Sequence, residues 1–279
     1  MRESFPIPRH LTLEMTYQCN YQCPFCYCVW HEYPELIQSE LTTAEWKNII
    51  LKSINAGITE FTYSGGEALL RPDIEELLGF AGSLFPKARF ALFTNGYLLT
   101  PRIISLLKQN NISIATSLQG IKTYGEMTGV TNGCNHILKM LKYASGINWP
   151  MTVSITVSSV NAKELLDMVF AASDNGASSI TLGPIMLEGK ARNWQELAIT
   201  PYEWDNLKRK TQSLISVQAP ISFVNEMICM CRPQPSKFRE LYGQSFSHCN
   251  AGKSFAVISP SGKYRKCLHT IEEFPVPWL

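Results

Sequence analysis

The chain has 279 residues, of which 45% are apolar and 17% are charged, and its formal net charge is +2. This length can bury the core of a barrel-sized domain with an appendage. So small a net charge gives no support to a nucleic-acid or membrane-surface partner. No apolar run reaches membrane-spanning length, and the N-terminus lacks the apolar stretch of a signal peptide. Nine cysteines without an export signal therefore predict a cytoplasmic, metal-ligating protein.

Strand and helix patterns alternate through the first two thirds of the chain. The first predicted strand ends near residue 15. The next five cover 58–64, 89–94, 112–118, 151–157 and 178–185. The helices that follow them are predicted to begin near residues 42, 72, 100, 133 and 161. Thr42 and Glu45 have the spacing of a capping box, and Asn161 is a candidate cap of the fifth helix. Strand–helix repeats with short loops predict a parallel sheet that right-handed crossovers curl into a full or partial barrel.

Three cysteines lie within eight residues on the loop that leaves the first strand: Cys19, Cys23 and Cys26. Three thiolates so close together can face one iron–sulfur centre. A four-iron cluster held by three ligands keeps one iron open for another molecule. A zinc knuckle is the alternative, although zinc prefers paired Cys-x-x-Cys units that bring four ligands together.

The run Cys-x3-Cys-x2-Cys-aromatic resembles the cluster loop of the radical S-adenosylmethionine (SAM) superfamily. Gly65, Gly66 and Glu67, after the second strand, resemble the family's Gly-Gly-Glu segment, which holds the amino group of SAM. Glycines let backbone approach a ligand closely, and a carboxylate can accept hydrogen bonds from an ammonium. Ala68 stands where the family commonly has proline. The resemblance implies a 4Fe–4S cluster that cleaves SAM to methionine and a 5′-deoxyadenosyl radical, which abstracts hydrogen from a substrate.

The resemblance also implies SAM contacts from other strand ends, where ligand sites of parallel barrels gather. The candidates are Tyr27, Asn95, Ser117, Gln119 and Arg192. Tyr27 would lie beside the adenine, Ser117 and Gln119 near the ribose or carboxylate, and Arg192 against the carboxylate. A packed core tyrosine, polar strand ends and a solvated arginine are the respective alternatives.

The repeat stops after about residue 195, where a second part of the chain is predicted. Cys249 and Cys267 frame a predicted hairpin whose Cys-x12-Gly-x4-Cys pattern resembles the opening of the twitch or SPASM extension. That extension holds auxiliary iron–sulfur clusters in one branch of the family, and the resemblance implies one such cluster on Cys249 and Cys267. Cys229 and Cys231 are the nearby sources of further ligands, or ordinary thiols, and either is a candidate hydrogen donor to a substrate radical.

The expected fold is therefore α/β: a six-stranded partial (β/α)6 TIM-like barrel over residues 1–195 with a small twitch/SPASM-like extension over 196–279. The later cysteines of a full SPASM domain do not follow Cys267, so the extension is expected to be short or truncated.

Bearers of this extension mostly modify peptides, so the resemblance implies a ribosomally made precursor peptide as substrate. Cross-linking, thioether formation or epimerisation would follow hydrogen abstraction. Cys19 lies too near the start for a leader-binding domain of the chain's own, so a separate leader-recognition protein is an expected partner. A reductase or flavodoxin would supply electrons. The alternatives are a radical SAM enzyme acting on a sugar or haem precursor, and a non-catalytic iron–sulfur electron carrier.

Overall fold

A computed structural model of the chain describes residues 5–213, 219–224 and 249–279. Its strands are β1 (His10–Glu14), β2 (Glu60–Ser64), β3 (Arg89–Thr94), β4 (Ser113–Ser117), β5 (Thr152–Val157), β6 (Ser179–Pro184), β7 (Ile221–Phe223), β8 (Phe255–Ile258) and β9 (Tyr264–Arg265). Its α-helices are α1 (Thr43–Asn55), α2 (Ile74–Ser83), α3 (Pro101–Gln109), α4 (Tyr124–Thr128), α5 (Gly133–Gly146), α6 (Leu165–Asp174) and α7 (Pro201–Gln212). Among the described helices, none is long and apolar enough to cross a membrane.

The strands form one sheet in the order β7-β6-β5-β4-β3-β2-β1-β8-β9. Strands β1 to β6 lie in chain order, each parallel to the next, with at least one helix between consecutive strands. The six predicted strand–helix units are therefore present, and the predicted partial-barrel type of α/β fold is confirmed. Because all six strands run the same way, their C-terminal ends lie along one edge of the sheet.

Apolar side chains at alternate positions of the strands bury one face of the sheet. Leu11 and Leu13 of β1 and Val153 of β5 lie on that face and are fully buried, as expected for parallel strands that pack against helices. The core cluster extends from β1 through the helices to β8. The strands whose ends carry the loops are thus held together by one packed core.

The structure has both predicted helix caps in place, one with its side-chain bonds and one without them. At the start of α1, the Thr42 hydroxyl accepts from the Glu45 N–H, and the Glu45 carboxylate accepts from the Thr42 N–H, which confirms the capping box. Asn161 lies at the N-cap position of the short 3-10 helix Ala162–Glu164, as the sequence predicts, but its side chain makes no cap bond there. Its amide nitrogen instead donates to the carbonyls of Gln119 and Thr156, at 2.9 and 2.8 Å. Asn161 therefore ties the loop after β4 to the end of β5.

The C-terminal hairpin extends the barrel sheet. β8 pairs with β9 in antiparallel fashion, as the sequence predicts, and β8 also pairs in parallel with β1. At the opposite edge, β7 pairs in parallel with β6. One sheet thus contains strands from both predicted parts of the chain, and a domain boundary between residues 195 and 196 stays a prediction. Cys229 and Cys231 lie outside the described residues.

Candidate cofactor site

A cavity of about 270 Å³ lies at the C-terminal ends of the barrel strands. Each of β2 to β6 contributes a residue at or just after its end: Gly65, Asn95, Ser117, Thr156 and Pro184. The loop after β1 contributes the largest share of the wall. The cavity is thus built from elements far apart in the sequence, as is usual for ligand sites of parallel barrels.

The three cysteines of the loop after β1 all line this cavity: Cys19, Cys23 and Cys26. Each is a free thiol. The loop is held against α4, because the Tyr21 and Tyr124 hydroxyls lie 2.6 Å apart and the Gln22 N–H donates to the Thr128 carbonyl at 3.0 Å. The thiols are therefore presented by an anchored loop.

Hydrogen-bond donors are directed at the sulfur of Cys19. The Tyr21 N–H lies 3.4 Å and the Asn95 amide nitrogen 3.9 Å from Cys19 Sγ. Burial raises the pKa of the Cys23 thiol above the ordinary range, so its ionised form needs positive charge nearby, which a bound metal centre supplies. A hydrogen bond from the Cys28 thiol lowers the pKa of Cys26.

This donor set fits a four-iron cluster better than a single metal ion. In the described part of the chain, no three Cys, His, Asp or Glu side chains converge on one ion position. A cubane offers a different iron atom to each thiolate, so its ligands need not share one centre, whereas a zinc knuckle requires them to. Three soft sulfur donors that line one cavity, one of them with hydrogen-bond donors directed at its sulfur, suit the cluster.

Gly65 and Gly66 are required by a close approach of two backbones. A Cβ at Gly66 would lie 2.1 Å from the carbonyl oxygen of Gln18, and one at Gly65 would lie 2.7 Å from that of Thr16. Gly65 also has a φ of +120°, which disfavours any side chain. The Gly66 N–H donates to the Thr16 carbonyl at 2.8 Å. The glycines thus seat the turn after β2 directly on the first residues of the cysteine loop, and both also line the cavity.

Glu67 occupies a buried position behind the cavity wall. Its side chain is 1% exposed, and it is not among the residues that line the cavity. One carboxylate oxygen accepts from the Thr94 hydroxyl and the Leu69 N–H, and the other accepts from the Asn95 N–H. Burial raises the pKa of this carboxyl against the opposing effect of those hydrogen bonds. Glu67 therefore joins the ends of β2 and β3.

Asn95, Ser117, Gln119 and Tyr27 line the cavity as the sequence predicts. The Gln119 side chain is already engaged, since its amide oxygen accepts from the Thr156 N–H at 2.9 Å. The Tyr27 ring lies edge-on to the ring of His269, with centroids 5.7 Å apart. Burial raises the pKa of Tyr27 well above its usual value.

Arg192 points elsewhere. Its guanidinium pairs with Glu32 at 3.3 Å, and it is not among the cavity-lining residues. The neighbouring backbone is nevertheless close to the site, because the Lys190 N–H donates to the Cys26 carbonyl at 2.9 Å. A Cβ at Gly189 would lie 2.5 Å from that same carbonyl oxygen. The segment after β6 therefore supports the third cysteine, and its arginine faces Glu32.

Sequence reasoning missed several residues that line the cavity: Tyr21, Phe25, Cys28, Phe93, Ser154, Met186 and His269. Phe25 lies inside the cysteine run and was the most accessible to sequence reasoning. Phe93 and Ser154 follow from strand alternation once the barrel interior is known. His269 had no local signal, because it reaches the cavity only through the pairing of β8 with β1.

The two hairpin cysteines differ in environment, since Cys249 is exposed and Cys267 is 5% exposed. The chain near each is brought together by a hydrogen bond of 2.9 Å from the Gly252 N–H to the Lys266 carbonyl. The Cys267 sulfur accepts from the His269 N–H at 3.4 Å. A second cluster on these residues stays a prediction.

The profile of the radical SAM superfamily matches residues 13–172, which is more than half of the chain. The chain belongs to the radical SAM superfamily. Membership in this family implies a 4Fe–4S cluster and SAM as the bound groups. The matched range includes the cysteine loop and β2 to β5, and it excludes the C-terminal hairpin.

Curated relatives of this radical SAM chain include a maturation protein and a peptide cyclase. The sporulation killing factor maturation protein SkfB of Bacillus subtilis is 31% identical over 188 residues, covering 66% of this chain and 44% of SkfB. The PqqA peptide cyclase of Bradyrhizobium diazoefficiens is 27% identical over 274 residues, covering 95% of this chain and 68% of the cyclase. The chain thus spans less than half of SkfB and about two thirds of the cyclase.

Solved structures share the fold of this radical SAM chain. Streptococcus suis SuiB, bound to its precursor peptide SuiA, superimposes with a TM-score of 0.74 at 18% identity, over 94% of this chain and 60% of SuiB. The enzyme anSMEcpe with bound SAM superimposes with a TM-score of 0.68 at 15% identity, over 95% of this chain and 75% of that one. At these identities the likeness establishes the fold.

Proposed function

We propose that this chain is a radical SAM enzyme that abstracts hydrogen from a ribosomally made precursor peptide. The observation that carries the enzyme assignment is that Cys19, Cys23 and Cys26 line a single cavity together with Gly65 and Gly66. The proposal of a peptide substrate rests on the relatives, which are named as a killing-factor maturation protein and a peptide cyclase. The fold likeness to SuiB with its precursor peptide points the same way.

In this proposal the chain's own residues bind and orient the cosubstrate. Cys19, Cys23 and Cys26 hold a 4Fe–4S cluster, which when bound supplies the electron that cleaves SAM to methionine and a 5′-deoxyadenosyl radical. Asn95 and Ser117 offer polar side chains from adjacent strand ends. Such fixed polar groups can position a bound SAM before it reacts.

The cavity wall also restricts water. Phe25, Phe93 and Met186 give it apolar surface beside the polar groups of the strand ends. A reactive carbon radical needs a site from which competing hydrogen donors are kept away. These side chains would therefore protect the chemistry without taking part in it.

The experiment that tests the enzyme assignment is reductive SAM cleavage. The protein is reconstituted anaerobically with iron and sulfide, and dithionite and SAM are added. We expect 5′-deoxyadenosine to form in the wild type and to be absent from a Cys19→Ala, Cys23→Ala, Cys26→Ala variant. A wild type that is fully loaded with iron yet makes no 5′-deoxyadenosine would contradict the assignment and favour an electron carrier.

The peptide assignment needs its own experiment. A short reading frame beside this one, encoding a candidate peptide, is co-expressed with the enzyme, and the product is analysed by mass spectrometry. Loss of two hydrogens indicates cross-linking or thioether formation, and deuterium uptake from heavy water without other mass change indicates epimerisation. Turnover of a small metabolite while every candidate peptide stays unmodified would overturn the peptide substrate.

We further propose an auxiliary 4Fe–4S cluster in an extension comprising residues 196–279. Cys249 and Cys267 would supply two ligands, and Cys229 or Cys231, outside the described residues, would supply others. If only one of these two joins, the other is left as a thiol hydrogen donor. A cytoplasmic reductase or flavodoxin would deliver electrons, and a separate protein would recognise the peptide's leader.

A further inference from the structure

The turn after β9 places one side chain in the cofactor cavity. His269 lines the cavity although it lies almost a hundred residues beyond the part of the chain that matches the family. Its ring stands at 90° to that of Tyr27, with centroids 5.7 Å apart. Edge-to-face pairs of this kind fix the orientation of both rings. The imidazole is therefore held at the cavity wall by a neighbour from the cysteine loop.

Hydrogen bonds within the turn hold the backbone that carries His269. The Thr270 hydroxyl donates to the Cys267 carbonyl at 2.9 Å and accepts from the Cys267 N–H at 3.2 Å. The Thr270 N–H also donates to the Cys267 carbonyl, at 3.3 Å. These three hydrogen bonds close the turn and fix the backbone from which the His269 side chain projects.

A buried ion pair fastens the turn to the start of the cysteine loop. Arg265 donates to the Thr270 carbonyl at 3.1 Å and pairs with Glu14, and both charged side chains are 1% exposed. Glu14 is the last residue of β1, immediately before the cysteine loop begins. Removing either partner would leave a buried charge without its counter-charge, so the pair holds the two segments together.

The size of the cavity indicates what His269 meets. A volume of about 270 Å³ is just below the range of about 300–1,000 Å³ that is usual for small-molecule sites. A side chain on its wall therefore lies within reach of a small molecule bound there. An imidazole can donate or accept a hydrogen bond, and SAM offers a carboxylate, ribose hydroxyls and adenine nitrogens as partners.

We propose that His269 is a SAM-binding residue, so that the C-terminal hairpin completes the SAM site of the barrel. This inference rests on the proposed function, because it takes SAM to be the ligand of the cavity. Arg265 and Glu14 act on SAM only by positioning the turn. The inference adds to the strand-end contacts a ligand contact made by a residue outside the family-matched range.

The test measures SAM binding rather than turnover. His269→Phe keeps a ring against Tyr27 and removes the hydrogen-bonding nitrogens, and His269→Gln keeps a polar group. Leu268→Ala, in the same turn but absent from the cavity wall, is the matched control. Equilibrium dialysis against SAM and the SAM-induced rise in Tm are measured on anaerobically reconstituted proteins, together with iron content.

We expect His269→Phe to raise the Kd for SAM about five- to tenfold, the size of one lost hydrogen bond. His269→Gln should recover part of that loss, and Leu268→Ala should bind as the wild type does. Unchanged SAM binding in His269→Phe would overturn the inference, and so would a loss of iron in that variant or an equal weakening in Leu268→Ala. Failure of the wild type itself to bind SAM would refute the proposed function instead.

Discussion

The N–H of Asn95, just after β3, donates to the carboxylate of Glu67, just after β2, at 2.8 Å. Asn95 lines the cofactor cavity and Glu67 does not. The Asn95 amide also donates to the Asn20 side chain at 2.7 Å, so the two strand ends and the cysteine loop form one hydrogen-bonded unit. Glu67 thus contributes to the site indirectly. It binds Asn95 and directly follows the two glycines, and these three residues line the cavity.

Glu67→Gln should therefore destabilise the fold before it affects SAM. An amide in place of the carboxylate puts an NH2 group against one of the donors that Glu67 now satisfies, which leaves a buried donor unpaired. We expect a loss of about 1–3 kcal/mol in the free energy of unfolding, measured by urea denaturation of the cluster-free protein.

The matched control for that change is Glu76→Gln, on the exposed face of α2 with 61% of its side chain accessible. It should alter the free energy of unfolding by less than about 0.5 kcal/mol. If Glu67→Gln unfolds as the wild type does but binds SAM more weakly, the carboxylate is a SAM ligand and its structural role is refuted.

Gly66→Ala should displace the cysteine loop. The new Cβ would lie 2.1 Å from the Gln18 carbonyl oxygen. The two backbone segments would have to move apart, which would break the hydrogen bonds between them. We expect a loss of about 3 kcal/mol or more in stability and a fall in iron content after reconstitution. Iron assay and thermal denaturation measure the two effects.

Gly79→Ala provides the contrast for that variant. A Cβ at Gly79, inside α2, meets nothing within 4 Å, so alanine should stabilise the helix by about 0.5–1 kcal/mol. A Gly66→Ala protein with normal stability and normal iron content would show that the turn after β2 can move away from the loop.

How far the sequence could predict this site depends on whether a signal is local. The spacing of Cys19, Cys23 and Cys26 places three thiols on one loop whatever the rest of the chain does, and the Thr42 capping box needs only one turn of helix. Strand alternation likewise predicted β1 to β6, because a strand that buries one face has an apolar residue at every second position.

Roles that depend on distant partners were harder to predict. Arg192 was a candidate for the SAM carboxylate, but its charge is taken up by Glu32, which is 160 positions away in the sequence. The structure also gives the two glycines a reason that the sequence does not show, which is their close approach to Gln18 and Thr16. A prediction that His269 lines the cavity would have required knowing that β8 pairs with β1. Each case turns on a tertiary contact that no window of sequence contains.

Glu164 should make folding stability depend on pH. Its carboxylate accepts from the N–H groups of Ile121 and Thr123 after β4, and from the Thr123 hydroxyl. Burial would raise its pKa, but these hydrogen bonds together lower it below the usual value. A lowered pKa stabilises the fold above the pKa of the unfolded chain, and that stabilisation is lost as the pH falls through the folded-state value.

We therefore expect wild type and Glu164→Gln to differ most near neutral pH and to converge as the pH falls below about 4. Urea midpoints between pH 3.5 and 7 measure the difference. Asp167→Asn, an exposed carboxylate on α6, should follow the wild type throughout. A difference that stays constant down to pH 3.5 would mean that the hydrogen bonds do not depend on the charge of Glu164.

Iron counting should separate the two proposed clusters. If the hairpin cysteines hold an auxiliary four-iron cluster, the reconstituted wild type binds about eight irons per chain. The Cys19→Ala, Cys23→Ala, Cys26→Ala variant should then keep about four, because the thiols it loses belong to the other cluster. A Cys249→Ala, Cys267→Ala variant should keep the other four and still cleave SAM.

Cys134→Ala, a buried thiol of α5 far in sequence from both groups, should bind as much iron as the wild type. A triple variant without iron would show that the hairpin thiols are structural, and the chain would then carry a single cluster.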